Sequence, residues 1–80
     1  MKFHQILKRL RKDKKITQEE LAKELEIAPS TVSMYERGER EPNIESIIAI
    51  ANYFEVTVDF LVGNAIVERK EGGSDGKIQV

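Results

Sequence analysis

The stretch TQEELAKELEIAPSTVSMYER, residues 17–37, decides the fold. It has the pattern of two short helices joined by a tight turn. Thr17 and Glu20 have the spacing of a capping box at the start of the first helix. Pro29 suits the first position of the second helix, where a missing backbone N–H does no harm. Ala22 supplies a small side chain at the place where the second helix can cross the first closely. The turn is predicted at residues 26–28, and Gly38 is predicted to end the second helix.

The second helix of this stretch has two different faces. Val32 and Tyr35 are three residues apart, so they share one side and are predicted to point into the core. The opposite side is then free to enter a DNA major groove, as in a helix-turn-helix. The side chains predicted to meet base edges there are Pro29, Ser30, Ser33, Met34 and Arg37.

This outer face of the second helix has few of the side chains that bind bases strongly. A serine can donate or accept at several bases, and Met34 can pack against a thymine methyl group. Arg37 is the only guanidinium for guanine on this face, which has no Asn or Gln for adenine. We therefore expect a large share of the affinity to come from DNA backbone contacts and DNA shape.

Three further helices are predicted around this pair. Apolar residues spaced i, i+3, i+4, i+7 from Phe3 predict a first helix over about residues 2–12. Asn43 is a suitable N-cap for a fourth helix, and Thr57 for a short fifth helix over residues 58–62 that ends at Gly63. The predicted core stripe of the fourth helix consists of Ile44, Ile47, Ile48, Ala51 and Phe54. The sequence thus predicts one all-α domain over residues 1–63 and a C-terminal tail over residues 64–80 that could contribute to dimerisation.

Composition excludes several classes of protein. The chain has 80 residues, enough for one small domain, and no cysteine, which excludes disulfides, cysteine-type zinc fingers and thiol catalysis. No apolar run approaches the roughly 18 residues that span a bilayer, and the amphipathic N-terminus is not a signal peptide. We therefore expect a cytoplasmic protein without a membrane partner. His4 is expected to be a surface residue, and no nucleophile and base converge by spacing, so neither an enzyme nor a cofactor or metal is expected.

The net charge of −1 conceals a gradient along the chain. Residues 1–15 contain seven Lys or Arg residues and one Asp, a net charge of +6. Residues 41–80 contain three Lys or Arg residues and seven Asp or Glu residues, a net charge of −4. This asymmetry favours a basic end that faces DNA and an acidic far side, although a charge run can also be a solvated helix face.

Four elements, TQEELA, STVSMYERG, REPN and VTVDFLVG, follow one another in an order and spacing that resemble the phage-repressor and Cro-like (XRE) helix-turn-helix family. The resemblance covers residues 3–63. It implies a five-helix, lambda-repressor-like DNA-binding domain with its helix-turn-helix at helices 2 and 3. Such a domain is usually a dimer that represses or otherwise regulates transcription at a partly palindromic operator. One departure is Glu26, which occupies the turn position where the family usually has a glycine with positive φ.

The resemblance also implies roles for residues outside the base-contacting face. The residues that it places at DNA phosphates are Gln18, Thr31, Tyr35, Arg40 and Asn43. Gln18 could instead be a tolerated surface residue, Thr31 could stabilise the first helical turn, Tyr35 could belong to the core, and Asn43 could act only as a helix cap. Arg11 and Glu36 stand where many relatives have a structural ion pair between helices one and three.

The C-terminal end is more apolar than one small core requires. The family resemblance implies that these additional apolar residues form the two-fold interface of a homodimer, which binds an inverted repeat. The residues predicted for this dimer interface are Phe60, Leu61, Val62 and Ile66. The alternative is an antitoxin, or a regulator controlled by an antirepressor, in which a different protein (a toxin or an antirepressor) covers the same surface.

Overall fold

The computed structural model describes residues 1–63, which form five α-helices. The helices are α1 (Phe3–Asp13), α2 (Gln18–Leu25), α3 (Pro29–Arg37), α4 (Ile44–Phe54) and α5 (Val58–Leu61). The predicted all-α architecture is confirmed, with α1 one residue later and α5 one residue shorter than expected. The predicted tail over residues 64–80 lies outside the described residues. Within the described part of the chain, no helix is long and apolar enough to cross a membrane.

Side-chain caps begin three of the helices. Thr17 Oγ1 accepts a hydrogen bond from the Glu20 N–H at 3.0 Å, and the Glu20 carboxylate accepts one from the Thr17 N–H at 2.8 Å. The predicted capping box is therefore formed. Asn43 Oδ1 accepts from the Ser46 N–H at 2.8 Å, and Thr57 Oγ1 accepts from the Phe60 N–H at 3.0 Å. Each of these caps satisfies a backbone N–H that has no partner inside its helix, a contribution of about 1 kcal/mol.

The turn between α2 and α3 has the predicted conformation. Glu26 ends α2 in the left-handed region at φ 59°, where a residue with a Cβ costs on the order of 1 kcal/mol. The Ile27 N–H donates to the Ala22 carbonyl at 3.0 Å and closes the end of α2. Pro29 then occupies the first turn of α3. The turn holds the two helices in contact with each other, and Ala22 is buried.

The core takes at least one side chain from every helix. The largest fully buried side chains are Leu7 of α1, Leu21 of α2, Val32 of α3, Ile50 of α4 and Leu61 of α5. Val32 and Tyr35 both lie in this core, as their spacing predicts. Because α3 is anchored along this buried side, its other side remains at the surface.

Two predictions about apolar residues are wrong. In α4, Ile47 and Ala51 are buried, but Ile44 and Ile48 are 65% and 46% exposed, and Ile50 is buried in their place. Apolar residues surround most of this helix, so their spacing alone does not reveal which side packs. In α5, Leu61 was predicted at a dimer interface but is fully buried in the core, because it is the residue through which this short helix is anchored. Phe60 and Val62 are exposed, and Ile66 lies outside the described residues.

Candidate nucleic-acid interface

The predicted base-contacting residues lie together on the outer side of α3. Pro29, Ser30 and Arg37 are exposed, and Ser33 and Met34 are half-buried. This pattern follows from the burial of Val32, Tyr35 and Glu36 on the other side of the same helix. The structure thus presents one short helical surface with two hydroxyl groups, a thioether and a guanidinium. Contact of these groups with bases remains a prediction.

Arg37 is held by two neighbours on this surface. Its guanidinium donates one hydrogen bond to Ser33 Oγ and another to Glu39 Oε1 at 2.9 Å. The hydrogen bond and charge of Glu39 raise the pKa of Arg37, and those of Arg37 lower the pKa of Glu39. Both side chains are about half exposed, so water screens the pair and a DNA phosphate or base can compete with Glu39 for the guanidinium. Glu39 was not predicted at this surface, although its acidic side chain is only two positions after Arg37 in the sequence.

A buried carboxylate joins α1, α2 and α3. Glu36 is 7% exposed and accepts hydrogen bonds from Arg11 Nε at 2.6 Å and Arg11 Nη2 at 3.1 Å. Gln18 Nε2 donates to the same carboxylate at 3.0 Å, and Arg11 Nη1 donates to the Ile16 carbonyl at 2.8 Å. Hydrogen bonding to Glu36 raises the pKa of Arg11 against the opposing effect of burial. These bonds fix the orientation of α3 relative to the two helices before it.

This network gives Gln18 a structural contact in addition to its predicted contact with phosphate. Its side-chain amide already donates one hydrogen bond inside the protein, while an amide nitrogen can donate two. The residue also begins α2, where unpaired backbone N–H groups favour an anion. Bracing of α3 is therefore observed, and the phosphate contact remains a prediction.

The remaining residues predicted to contact phosphates lie in α3 or in the loop that follows it. Tyr35 is 4% exposed, and its ring meets Phe3 edge-on with 6.0 Å between ring centroids, so the ring belongs to the core. Arg40 is exposed in the loop between α3 and α4. Asn43 caps α4, and Thr31 is half-buried in the first turn of α3. Thr31 and Tyr35 belong to α3 and the other two follow it in the chain, and the phosphate contacts of all four remain a prediction.

Comparison with known proteins agrees with this geometry. A family model for the helix-turn-helix (HTH_3) matches residues 7–61. The chain belongs to the XRE-type helix-turn-helix family. Among its relatives, the HTH-type transcriptional activator BcrR of Enterococcus faecalis is 40% identical over 62 residues, which are 78% of this chain and 30% of BcrR. The HTH-type transcriptional regulator ImmR of Bacillus subtilis is 34% identical over 64 residues, which are 80% of this chain and 50% of ImmR. The chain therefore spans about half, or less, of the length of these relatives.

Solved structures of similar proteins share the fold of this XRE-type domain. The P22 c2 repressor, in complex with a synthetic operator, has a TM-score of 0.75 and 28% sequence identity, over 80% of this chain and 97% of the repressor chain. A transcriptional regulator from Listeria innocua has a TM-score of 0.74 and 37% identity, over 78% of this chain and 58% of that chain. The lambda-repressor-like architecture of this chain is thus shared with these two solved structures over the aligned residues.

Proposed function

We propose that this protein is a sequence-specific regulator of transcription that binds double-stranded DNA through the outer side of α3. The observation that carries the proposal is the division of α3 into a buried side, fixed by Val32, Tyr35 and Glu36, and an exposed polar side. An α-helix fits the major groove of B-DNA, where hydroxyl, thioether and guanidinium groups can contact base edges. The likeness to the P22 c2 repressor in its operator complex supports this use of the surface.

The proposed action is repression. A domain bound at an operator blocks access to the DNA that it covers. The P22 c2 neighbour is a repressor, whereas the relative BcrR is an activator, so family membership alone is compatible with either direction of regulation.

The proposed assembly is a homodimer on an inverted repeat. Large apolar side chains are exposed on α4 and α5, two helices that pack against each other in the structure. Ile44 and Ile48 are contributed by α4, and Val58, Phe60 and Val62 lie on or at the end of α5. Exposed apolar residues that form one patch are typical of protein interfaces, and we propose that these five do. Two copies joined through this apolar surface would present two α3 helices, and half-sites about 34 Å apart would place both on one face of the duplex.

The same apolar surface supports the second candidate function, in which a toxin or an antirepressor covers it. Sedimentation velocity of the purified protein distinguishes the two. A dimer in the absence of other proteins supports the homodimer. A monomer that stays monomeric on DNA favours the protein partner.

Titration of a fluorescent DNA duplex with the protein, at several salt concentrations, tests DNA binding itself. Affinity should fall steeply with salt, because Lys and Arg side chains displace counterions from the phosphates. Absence of binding at low salt would refute the proposed function.

A further inference from the structure

A cleft of about 250 Å³ lies between the start of α1 and the end of α3. The chemically active side chains on its walls are Lys2, His4, Tyr35, Arg37, Arg40 and Glu41. Three of them are basic side chains and one is a carboxylate. Two of the cations, Arg37 and Arg40, are among the predicted DNA contacts, so the cleft adjoins the proposed interface.

His4 is fixed against the end of the recognition helix. It is half-buried, whereas a surface position was predicted for it. Gly38 ends α3 with φ +75°, and a Cβ added there would lie 3.2 Å from His4 Cδ2. The imidazole therefore packs on the backbone at the last turn of α3, and it shares the cleft with the two arginines.

Tyr35 is a buried polar side chain on the wall of the cleft. It is more than nine-tenths buried and lines both this cleft and a second cavity beside Glu45 and Ser46. Its hydroxyl has no hydrogen-bond partner among residues 1–63, although a buried phenol usually finds one. A phosphate oxygen in the cleft could accept that hydrogen bond, and the surrounding cations would neutralise its charge.

We infer that this cleft holds a phosphate of the DNA backbone and that protonated His4 strengthens its hold, so that DNA affinity rises as the pH falls. The inference rests on the proposed DNA-binding function. Histidine is the side chain that changes charge between about pH 5 and 8. Protonation of His4 adds a positive charge to a cleft that also has Lys2, Arg37 and Arg40 and, beside them, the carboxylates of Glu39 and Glu41.

The test compares DNA affinity at about pH 6 and pH 8, at one ionic strength, by fluorescence anisotropy with a 20-base-pair duplex. The wild-type protein should bind about three- to fivefold more tightly at the lower pH, as expected for one added charge contact near a surface. In His4→Gln, which keeps a polar side chain but cannot be protonated, the ratio of the two affinities should fall to about one. His4 is the only histidine in the chain, so no other imidazole contributes to the change.

A double variant, His4→Gln with Asn52→His, controls for total charge. Asn52 is exposed near the far end of α4, away from the loop that borders the cleft. The double variant has a titratable imidazole but should not regain the pH response. Circular dichroism of each variant verifies that the helices are intact.

The possible outcomes separate the inference from the proposed function. If the wild-type protein bound DNA equally tightly at both pH values, the inference would be overturned and DNA binding would be left in place. A response that Asn52→His restores would also overturn it, because the effect would then come from net charge and not from the cleft. No binding at either pH would refute the proposed function itself.

Discussion

Replacement of Glu36 by glutamine should destabilise the domain strongly, because three hydrogen bonds converge on this carboxylate. Two come from Arg11 and one from Gln18, at 2.6, 3.1 and 3.0 Å. The substituted side chain keeps the shape but has one acceptor oxygen in place of two. Its amide nitrogen would face an N–H donor, and the Arg11 guanidinium, whose side chain is 12% exposed, would lose its counter-charge.

Loss of one partner from a buried ion pair costs about 3 to 5 kcal/mol. We expect the lower end, about 3 kcal/mol, because part of the Arg11 side chain still reaches water. A domain of this size has a total stability of only about 5 kcal/mol, so most of it would be lost. The melting temperature should fall by roughly 10 °C or more.

Urea unfolding followed by circular dichroism measures this loss, with Glu39→Gln as the matched control. Both variants replace Glu by Gln in an Arg–Glu pair, but the pair of Glu39 with Arg37 is exposed. The unfolding midpoint of Glu39→Gln should therefore remain close to that of the wild type. The double variant Arg11→Met with Glu36→Leu should recover much of the stability, because it leaves no uncompensated charge in the interior. Equal midpoints for Glu36→Gln and Glu39→Gln would refute this interpretation of the network.

Three further predictions concern the turn, the α3 surface and the apolar surface. Glu26→Gly should be neutral or should raise stability by up to about 1 kcal/mol, because glycine adopts positive φ without strain; a clear fall in melting temperature would contradict the turn geometry. Met34→Ala should change the preferred DNA sequence, whereas Arg40→Ala should weaken specific and nonspecific DNA about equally, as competition titrations against mismatched duplexes will measure. Relaxed specificity in Arg40→Ala alone would mean that the base-contacting side of α3 is assigned incorrectly. Phe60→Glu should convert the proposed dimer to a monomer in sedimentation velocity and reduce affinity for an inverted repeat, while affinity for a single half-site changes little; an unaffected dimer would place the interface elsewhere.

Local signals in the sequence predicted the helices well. Thr17 and Glu20 form their capping box, Pro29 begins α3 and Gly38 ends it, because each of these interactions involves residues within four positions of each other. The inward side of α3 was also predictable, since Val32 and Tyr35 are three residues apart and therefore share one side of the helix. These features rest on spacing along one helix and require no knowledge of the partner helices.

The sequence was less informative where several apolar residues compete for one packing position. Ile44, Ile48 and Ile50 are chemically alike, and only the positions of the neighbouring helices decide that Ile50 is buried. Phe60 and Leu61 pose the same problem in α5, where the smaller residue is buried and the larger one is exposed.

Long-range polar contacts were only partly predictable. The Arg11–Glu36 pair was expected from the family resemblance, but the bond from Gln18 to the same carboxylate depends on how α2 meets α3. The contact of His4 with Gly38 joins residues distant in sequence and has no local signal. The phosphate and base contacts depend on a DNA molecule that the sequence does not describe.

Selection of bound sequences from a library of random DNA duplexes, at a stated near-physiological salt concentration, tests the central claim most directly. We predict enrichment of an inverted repeat whose half-site centres lie about one helical turn apart. The same selection with Met34→Ala should enrich a different sequence with the same spacing. Binding that is sensitive to salt but enriches no sequence, or no binding at all, would contradict the claim that the exposed side of α3 recognises a specific operator.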